Sequence, residues 1–139
     1  MMVLDTNHLR ELVLRTALGV RLEQRLRASK SNVVITVVSA EECFRGWLAK
    51  LGSARDVRDQ VEGYRQLGLL LPFLARFTLL PWDDDAAQRF IGFRAAGIRI
   101  GTMDLKIACI CIKHDAVLLT RNTVDFAGIP GLRFENWLD

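Results

Sequence analysis

The sequence predicts an α/β fold built on a mostly parallel central sheet, and three observations support this prediction. Short apolar segments alternate along the chain with segments that have the spacing of amphipathic helices. Residues 33–38 are almost entirely β-branched, which is typical of a parallel strand that is buried on both faces. The segment after Gly101 is apolar nearly all round, as expected for a helix in the centre of a domain. Together they predict about five strands flanked by helices in three layers.

The first half of the chain is predicted to contain two strands and four helices. An apolar strand runs from Met2 to Leu4 and ends at Asp5. Helices follow over residues 8–14 and 20–28, and the second of them has leucines four residues apart. The β-branched strand at 33–38 leads into a helix that begins at Ser39 and ends near residue 50, and a turn at 51–53 precedes a helix over 54–67. These last two helices predict a helical hairpin at about residues 39–68.

The second half is predicted to contain three strands and two helices. A strand at 77–80 is ended by Pro81, and three successive aspartates at 83–85 open a helix that runs to about residue 96. Gly97 ends this helix, and Thr102 begins the apolar central one. A strand at 116–120, a loop at 121–131 and a short strand at 132–134 complete the chain.

Length, charge and cysteine content narrow the class of protein. A chain of 139 residues fits one domain covering residues 1–139 and is long enough to bury a core. The net charge of +3 gives nucleic-acid binding only modest support. The three cysteines cannot all pair with one another, which favours a reducing compartment. Neither an export signal nor an apolar run of about 20 residues is evident, so we expect a cytoplasmic protein with no membrane segment.

Acidic or amide side chains follow an apolar segment at four places, each with a small hydroxyl residue nearby. They are Asp5, Glu42 after Ser39, Asp104 after Thr102, and Asn122 with Asp125 after Thr120. Because the carboxyl ends of parallel strands lie at one edge of a sheet, these side chains are expected to converge there. Clustered carboxylates repel one another, and a divalent cation relieves that repulsion. The pattern therefore predicts a metal site.

Each of these residues also has a purely structural interpretation. Ser39 to Glu42 matches a capping box, in which the glutamate would bind the backbone N–H of the serine. Asp104 would be favoured by the helix dipole alone, and Asp5 could be only a helix cap. Asn122 or Asp125 could be part of an Asx turn. These interpretations do not explain why all four places fall at one predicted edge.

The motifs at these places resemble those of PIN-domain ribonucleases, and specifically the VapC toxins of bacterial toxin–antitoxin pairs. The matching stretches span almost the whole chain in the order found in that family. They are Leu4 to Asn7, Ile35 through Glu42 to Gly46, Gly101 to Ala108, Leu119 to Phe126, Ile129 to Leu132, and Glu135 to Trp137. The resemblance implies a PIN-like three-layer fold.

The same resemblance implies the roles of individual residues. Asp5, Glu42 and Asp104 match the acidic metal-binding positions, and Glu42 is preferred to Glu41 because it stands four residues before Gly46. Asn122 matches the fourth catalytic position, which is often an aspartate in the family, and Asp125 is an alternative source of the missing charge. Thr6, Asn7, Ser39 and Thr120 are expected to form hydrogen bonds behind the acids.

A PIN-domain nuclease would use magnesium, with manganese able to substitute, because both ions prefer oxygen ligands. The ion would activate a water for attack on an RNA phosphodiester, so the expected enzyme is a hydrolase acting on ester bonds. Resemblance implies endonucleolytic cleavage of transfer, ribosomal or messenger RNA that leaves a 5′-phosphate. Candidate phosphate-binding residues near the acids are Arg10, Arg45, Lys106 and Arg121, although surface ion pairs explain each of them equally well. His8 and His114 are not expected to act as general bases.

VapC-like proteins are usually held inactive by a small antitoxin of the VapB kind, and homodimers are common among them. By analogy, an antitoxin would lie on the helical hairpin around Phe44, Trp47, Leu48 and Tyr64. A different class remains open because Asn122 replaces an acid. In that alternative the chain is a PIN-like module that binds RNA or protein with weak or no nuclease activity. DNA is not excluded as the substrate.

Overall fold

Five strands and seven helices alternate along the chain in the computed structural model, which describes residues 1–139. The strands are β1 (Met2–Leu4), β2 (Val33–Thr36), β3 (Leu79–Leu80), β4 (Val117–Leu119) and β5 (Arg133–Glu135). The helices are α1 (Thr6–Leu14), α2 (Ala17–Ser29), α3 (Val37–Ser53), α4 (Val61–Leu74), α5 (Asp84–Ala95), α6 (Thr102–Lys113) and α7 (Thr123–Phe126). The predicted α/β class is confirmed.

The five strands form one sheet in the order β3-β2-β1-β4-β5. All four pairings are parallel, so the sheet is wholly rather than mostly parallel. Strand β1 lies at the centre, where Leu4 is in register with Ile35 of β2 and with Leu119 of β4. Every strand therefore ends at the same edge of the sheet, and the residues that follow β1 and β4 are brought side by side.

The sheet separates two apolar cores, which explains why its three inner strands, β1, β2 and β4, are almost entirely apolar. Val3 and Leu118 belong to the core shared with α5, α6 and α7, whereas their neighbours Leu4 and Leu119 belong to the core shared with α1, α2 and α4. Successive side chains of a strand point to opposite faces, and here both faces are covered by helices. The three-layer architecture is thus confirmed.

Helix α6 is buried nearly all round, as its sequence predicts. Six of its side chains are almost fully inaccessible: Leu105, Ile107, Ala108, Cys109, Ile110 and Cys111. All three cysteines are free thiols, and the two in α6 act as small apolar groups in the core.

The boundary between β2 and α3 differs from the prediction. The β-branched run was expected to stay extended to residue 38 and the helix to begin at Ser39, but α3 begins at Val37. The reason is Thr36, whose side chain accepts a hydrogen bond from the backbone N–H of Ser39 at 3.0 Å and so caps the helix. The capping box proposed for Ser39 and Glu42 is consequently wrong, because Ser39 lies inside α3.

The helical hairpin is present but displaced along the chain. Helix α3 continues through the predicted turn to Ser53, and α4 spans Val61–Leu74 rather than residues 54–67. Pro72 is accommodated in the last turn of α4, whose Leu70 and Leu74 are buried in the core. Residues 123–126, expected to be loop, form the short helix α7. None of the helices combines the length and apolar character needed to cross a bilayer.

Candidate active site

Asp5 occupies the junction between β1 and α1, at the carboxyl edge of the sheet. Its side chain caps α1 by accepting a hydrogen bond from the backbone N–H of His8 at 2.9 Å. Only 5% of the residue is exposed. The imidazole of His8 lies 3.1 Å from the same carboxylate oxygen, Oδ1. The cap interpretation of Asp5 is therefore correct, and it does not compete with a role at the site.

Glu42 reaches the same edge from the second turn of α3. Its Oε1 accepts a hydrogen bond from the hydroxyl of Thr6 at 2.5 Å, which ties α3 to the first residue of α1. The neighbouring Glu41 instead forms an ion pair with Arg45 at 2.6 Å. This difference agrees with the preference for Glu42 as the site residue.

Asp104 and Asn122 are joined directly across two elements. The side-chain amide of Asn122 donates one hydrogen bond to Oδ2 of Asp104 and another to Oδ2 of Asp125, both at 3.0 Å. The loop between β4 and α7 is held in place because the backbone N–H of Asn122 donates to Thr120 Oγ1 at 3.0 Å. Asn122 thus bridges two carboxylates, one in α6 and one in α7, and its amide supplies donors where an aspartate would add charge.

The acids of this edge are close enough to perturb one another. Burial raises the pKa of Glu42 above its usual value, and repulsion from Asp104 and Asp5 raises it further, against the opposing hydrogen bond from Thr6. Burial likewise raises the pKa of Asp104, the bond from Asn122 lowers it, and the charges on Asp5 and Asp125 raise it. The four acids named in the sequence analysis therefore share one electrostatic environment.

The arrangement gathers oxygen donors at one edge of the sheet but is looser than a closed cage of protein ligands. No three Asp, Glu, His or Cys side chains of the chain are placed so that they could hold one ion together. Magnesium usually takes only one or two carboxylates directly and keeps several waters, so a partly open cluster of oxygen donors suits it. Burial is the largest cause of the raised pKa of Glu42 and of Asp104, repulsion from the neighbouring acids adds to it, and a positive charge placed here would lower both pKa values.

These shifts predict how one substitution changes stability with pH. Because the folded-state pKa of Glu42 is raised above 4.5, ionisation of its carboxyl opposes folding, and stability is lost as the pH rises through that value. In EDTA, Glu42→Gln should raise the free energy of unfolding at about pH 7, with the gain disappearing near pH 4. Urea denaturation at the two pH values measures this gain in stability.

Glu41→Gln, which removes a carboxylate paired with Arg45, is the matched control and should give no such gain. Lower stability of Glu42→Gln at neutral pH would contradict this reading of the electrostatics.

The four predicted phosphate-binding residues differ in the side chains that they already contact. Arg45 is paired with Glu41, and Arg121 is paired with Asp139 at 2.7 Å, so the ion-pair interpretation describes both of them. The ammonium of Lys106 lies 5.6 Å from the centre of the Trp82 ring. Arg10 is exposed and forms no ion pair, which leaves its guanidinium free for a phosphate.

A pocket of about 160 Å³ adjoins Glu42 between α1, α3 and α4. Thr6 and Arg10 line one side of it, and Trp47 and Lys50 line another. The larger cavity of the molecule, about 480 Å³, lies instead beside Val33 at the opposite edge of the sheet and contains none of the site acids. Size therefore does not identify the site, whereas the carboxylates do.

Among the predicted hydrogen-bonding groups, Thr6, Ser39 and Thr120 make contacts at the site. Ser39 Oγ lies 3.5 Å from Thr6 Oγ1 and 3.3 Å from Thr36 Oγ1, which places three hydroxyls in a row behind Glu42. Asn7 is exposed, and its side chain makes no hydrogen bond within the chain, so its predicted role has no support. Thr36 and His8 were missed. A threonine at the end of a strand that leads into a helix is a usable capping signal for Thr36, but nothing local in the sequence marks His8.

Comparison with known proteins places these features in a family. The family model of the PIN domain matches residues 2–132. A curated relative, the tRNA(fMet)-specific endonuclease VapC of Salmonella typhimurium, is 28% identical over 120 residues, which are 84% of this chain and 83% of the relative.

Solved structures of toxin–antitoxin complexes have the same fold. DNA-bound VapBC from Salmonella typhimurium has a chain that is 24% identical, with a TM-score of 0.78 over 98% of this chain and 97% of that one. A toxin–antitoxin complex from Klebsiella pneumoniae has a chain that is 26% identical, with a TM-score of 0.70 over 95% of both chains. VapBC-1 from nontypeable Haemophilus influenzae is similar at 22% identity and a TM-score of 0.75, over 99% of this chain and 98% of that one.

Proposed function

This chain belongs to the PIN-domain family, and we propose that it is a magnesium-dependent endoribonuclease toxin of the VapC kind. The observation that carries the proposal is electrostatic. Asp5, Glu42 and Asp104 come from three separate segments of the chain, yet the charge on Asp5 adds to the effect of burial in raising the pKa of both Glu42 and Asp104, and Asp104 also raises that of Glu42. Repulsion among neighbouring carboxylates opposes folding. A cluster of acids of this kind is therefore more typical of a functional site than of a purely structural one.

Asp5 and Asp104 would hold the ion directly, and Glu42 and Asp125 are the further acids that would take part in the metal site. When bound, the ion supplies a more acidic water for attack on the phosphodiester and offsets negative charge as that attack proceeds. Glu42 would be held in position there by the hydrogen bond that it accepts from Thr6. Asn122 holds Asp104 and Asp125 at fixed positions without adding a fourth negative charge. Manganese should replace magnesium because it accepts the same oxygen ligands.

RNA is the proposed substrate, by analogy with the tRNA-specific endonuclease that this chain resembles. An acidic site needs cations beside it to hold the flanking phosphates. Arg10 is the strongest candidate, because it lines the pocket next to Glu42 and has no acidic partner of its own. Arg45 and Arg121 would first have to leave their ion pairs, and Lys106 lies over Trp82. Single-stranded loops of transfer, ribosomal or messenger RNA offer the most accessible phosphates.

An antitoxin of the VapB kind is the proposed partner, since the similar solved structures are toxin–antitoxin complexes. Two of the apolar residues predicted for this surface, Leu48 and Tyr64, are more than half exposed, and so are Leu69 and Leu71 further along α4. Exposed apolar surface of this kind is typical of protein interfaces. Phe44 and Trp47 are partly buried beside it. A homodimer in the cytoplasm is proposed on family resemblance alone.

The test is cleavage of RNA by purified protein. With MgCl₂ or MnCl₂ the protein should cut structured RNA internally, and EDTA should stop the reaction because the acids alone cannot activate a water. The measurement is gel analysis of a panel of transfer and ribosomal RNAs, with DNA of the same sequence as a comparison for substrate class. Cleavage that persists in EDTA would overturn the proposal. If neither metal gives cleavage of any RNA, the alternative of a PIN-like binding module is favoured, in which Asn122 marks the loss of a catalytic acid.

A further inference from the structure

His8 is fully buried beside Asp5, and both of its ring nitrogens are engaged. The residue has no exposed surface. Its Nδ1 lies 3.1 Å from Oδ1 of Asp5. On the other side of the ring, Nε2 accepts a hydrogen bond from the backbone N–H of Trp137 at 3.2 Å. The imidazole therefore joins the beginning of the chain to a segment 129 residues away.

These two contacts determine where the ring proton lies. A backbone N–H can only donate, so Nε2 must present its lone pair to Trp137. A neutral imidazole with an unprotonated Nε2 carries its proton on Nδ1. The Nδ1–H group is consequently the donor to Asp5, which is an acceptor when ionised.

The same geometry distinguishes the two oxygens of the Asp5 carboxylate. Oδ1 accepts two hydrogen bonds, one from the backbone N–H and one from the ring of His8. Oδ2 has no hydrogen-bond partner in the protein, so one oxygen is anchored and the other is available. We propose that His8 is a positioning residue which, through the Trp137 backbone, fixes the Asp5 carboxylate so that Oδ2 is presented to a divalent cation. The inference rests on the proposed metal site.

The segment that orients His8 is itself well fixed. The Trp137 indole lies under the guanidinium of Arg25, 4.3 Å from the ring centre, and its Nε1–H donates to Glu135 at 2.7 Å. The next residue, Leu138, is only 5% exposed. Because Trp137 cannot shift easily, its N–H selects one orientation of the imidazole. A donor that holds a metal-binding carboxylate in this way increases metal affinity by preorganisation.

The first test needs neither metal nor RNA. Nitrogen-15 NMR of the imidazole should show a protonated, pyrrole-type Nδ1 and an unprotonated, pyridine-type Nε2 for His8. His114 is the only other histidine and serves as the internal comparison. The opposite tautomer, or an imidazolium at about pH 7, would overturn the inference.

The second test separates the two contacts with a matched pair of amides. In His8→Asn, the amide nitrogen takes the place of Nδ1, which keeps a donor to Asp5 and loses the acceptor for Trp137. In His8→Gln, the amide takes the place of Nε2, which keeps the acceptor and loses the donor. Calorimetric titration with MnCl₂ in the absence of RNA should show about tenfold weaker binding for His8→Gln and no more than about threefold for His8→Asn. His114→Asn should bind as the wild type does.

The pattern distinguishes this role from a merely structural one. Both variants lose one buried hydrogen bond, so both should melt at a lower temperature, but only one should lose metal affinity. Equal affinities in the two variants, or a weaker His8→Asn, would overturn the inference even though the wild type binds Mn²⁺. A wild type that binds no Mn²⁺ would refute the proposed function and this role together. If a variant does not fold, the tautomer measured on the wild type still decides.

Discussion

Replacing Asp5 with asparagine is expected to reduce RNA cleavage by about a hundredfold or more while leaving the free energy of unfolding nearly unchanged. Asparagine caps helices as well as aspartate does, and its side-chain oxygen can still accept from the backbone N–H of His8. What the substitution removes is the negative charge that would hold the cation. The measurement pairs an initial cleavage rate in MgCl₂ with a urea denaturation curve. Asp104→Asn should behave in the same way, since asparagine can still accept from Asn122.

Asp5→Ala is the matched control for the structural role of this residue. Alanine removes both the charge and the cap, so the variant should be inactive and also less stable by about 1 kcal/mol. The difference between the two variants isolates the cap from the charge. Cleavage at the wild-type rate by either Asp5→Asn or Asp104→Asn would rule out the proposed mechanism.

Replacing Gly19 with alanine is expected to destabilise the fold by about 3 kcal/mol. A Cβ atom at this position would lie 2.0 Å from the backbone carbonyl oxygen of Glu11, where no rotation of a side chain could relieve the clash. Gly19 is buried in the first turn of α2, and its N–H donates to the side chain of Thr16, which caps that helix. Helices α1 and α2 would have to separate to admit the methyl group.

Gly92→Ala is the matched control, because an added Cβ there meets nothing within 4 Å. Gly92 lies exposed in the interior of α5, where alanine is favoured over glycine by about 0.5–1 kcal/mol. Chemical denaturation should therefore show opposite signs for the two Gly→Ala variants. Stability of Gly19→Ala equal to that of the wild type would mean that the α1–α2 corner is not as tight as described.

Most of the layered fold could be predicted because the three inner strands, β1, β2 and β4, and helix α6 are largely buried. A strand with helices on both faces has no polar alternation, and a central helix has no polar stripe, so both are recognisable from composition over a short window. The ends of the helices were harder to predict. Val37 and Val38 have strand propensity, yet the cap by Thr36 and the packing of α3 place them in a helix.

The position of α4 shows the same limit in a different way. Gly68 and Pro72 locally favour an early end of the helix. However, Leu70 and Leu74 are buried in the core, and this burial stabilises α4 through its last turn. Local propensity is outweighed here by contacts that only the folded chain contains. The shifted hairpin is the result.

The candidate site was predictable where it depends on strand order and not where it depends on long-range contacts. Asp5, Glu42, Asp104 and Asn122 could be named because parallel strands bring their following residues to one edge. His8 could not be assigned a role, since its partner Trp137 is 129 residues away and contributes only a backbone group. Arg45 and Arg121 likewise form ion pairs, with Glu41 and Asp139, that only the structure identifies.

The strand order also has a consequence for the timing of synthesis. Strand β1 lies in the middle of the sheet, and its second neighbour, β4, follows far later in the chain than its first neighbour, β2. A nascent chain that stops before residue 117 has β1 paired on one side only, with Asn122 and the anchor for His8 still missing. The acidic edge is therefore completed only after β4 and Asn122 have been made, so a ribosome-bound fragment that stops before them does not yet carry the assembled site.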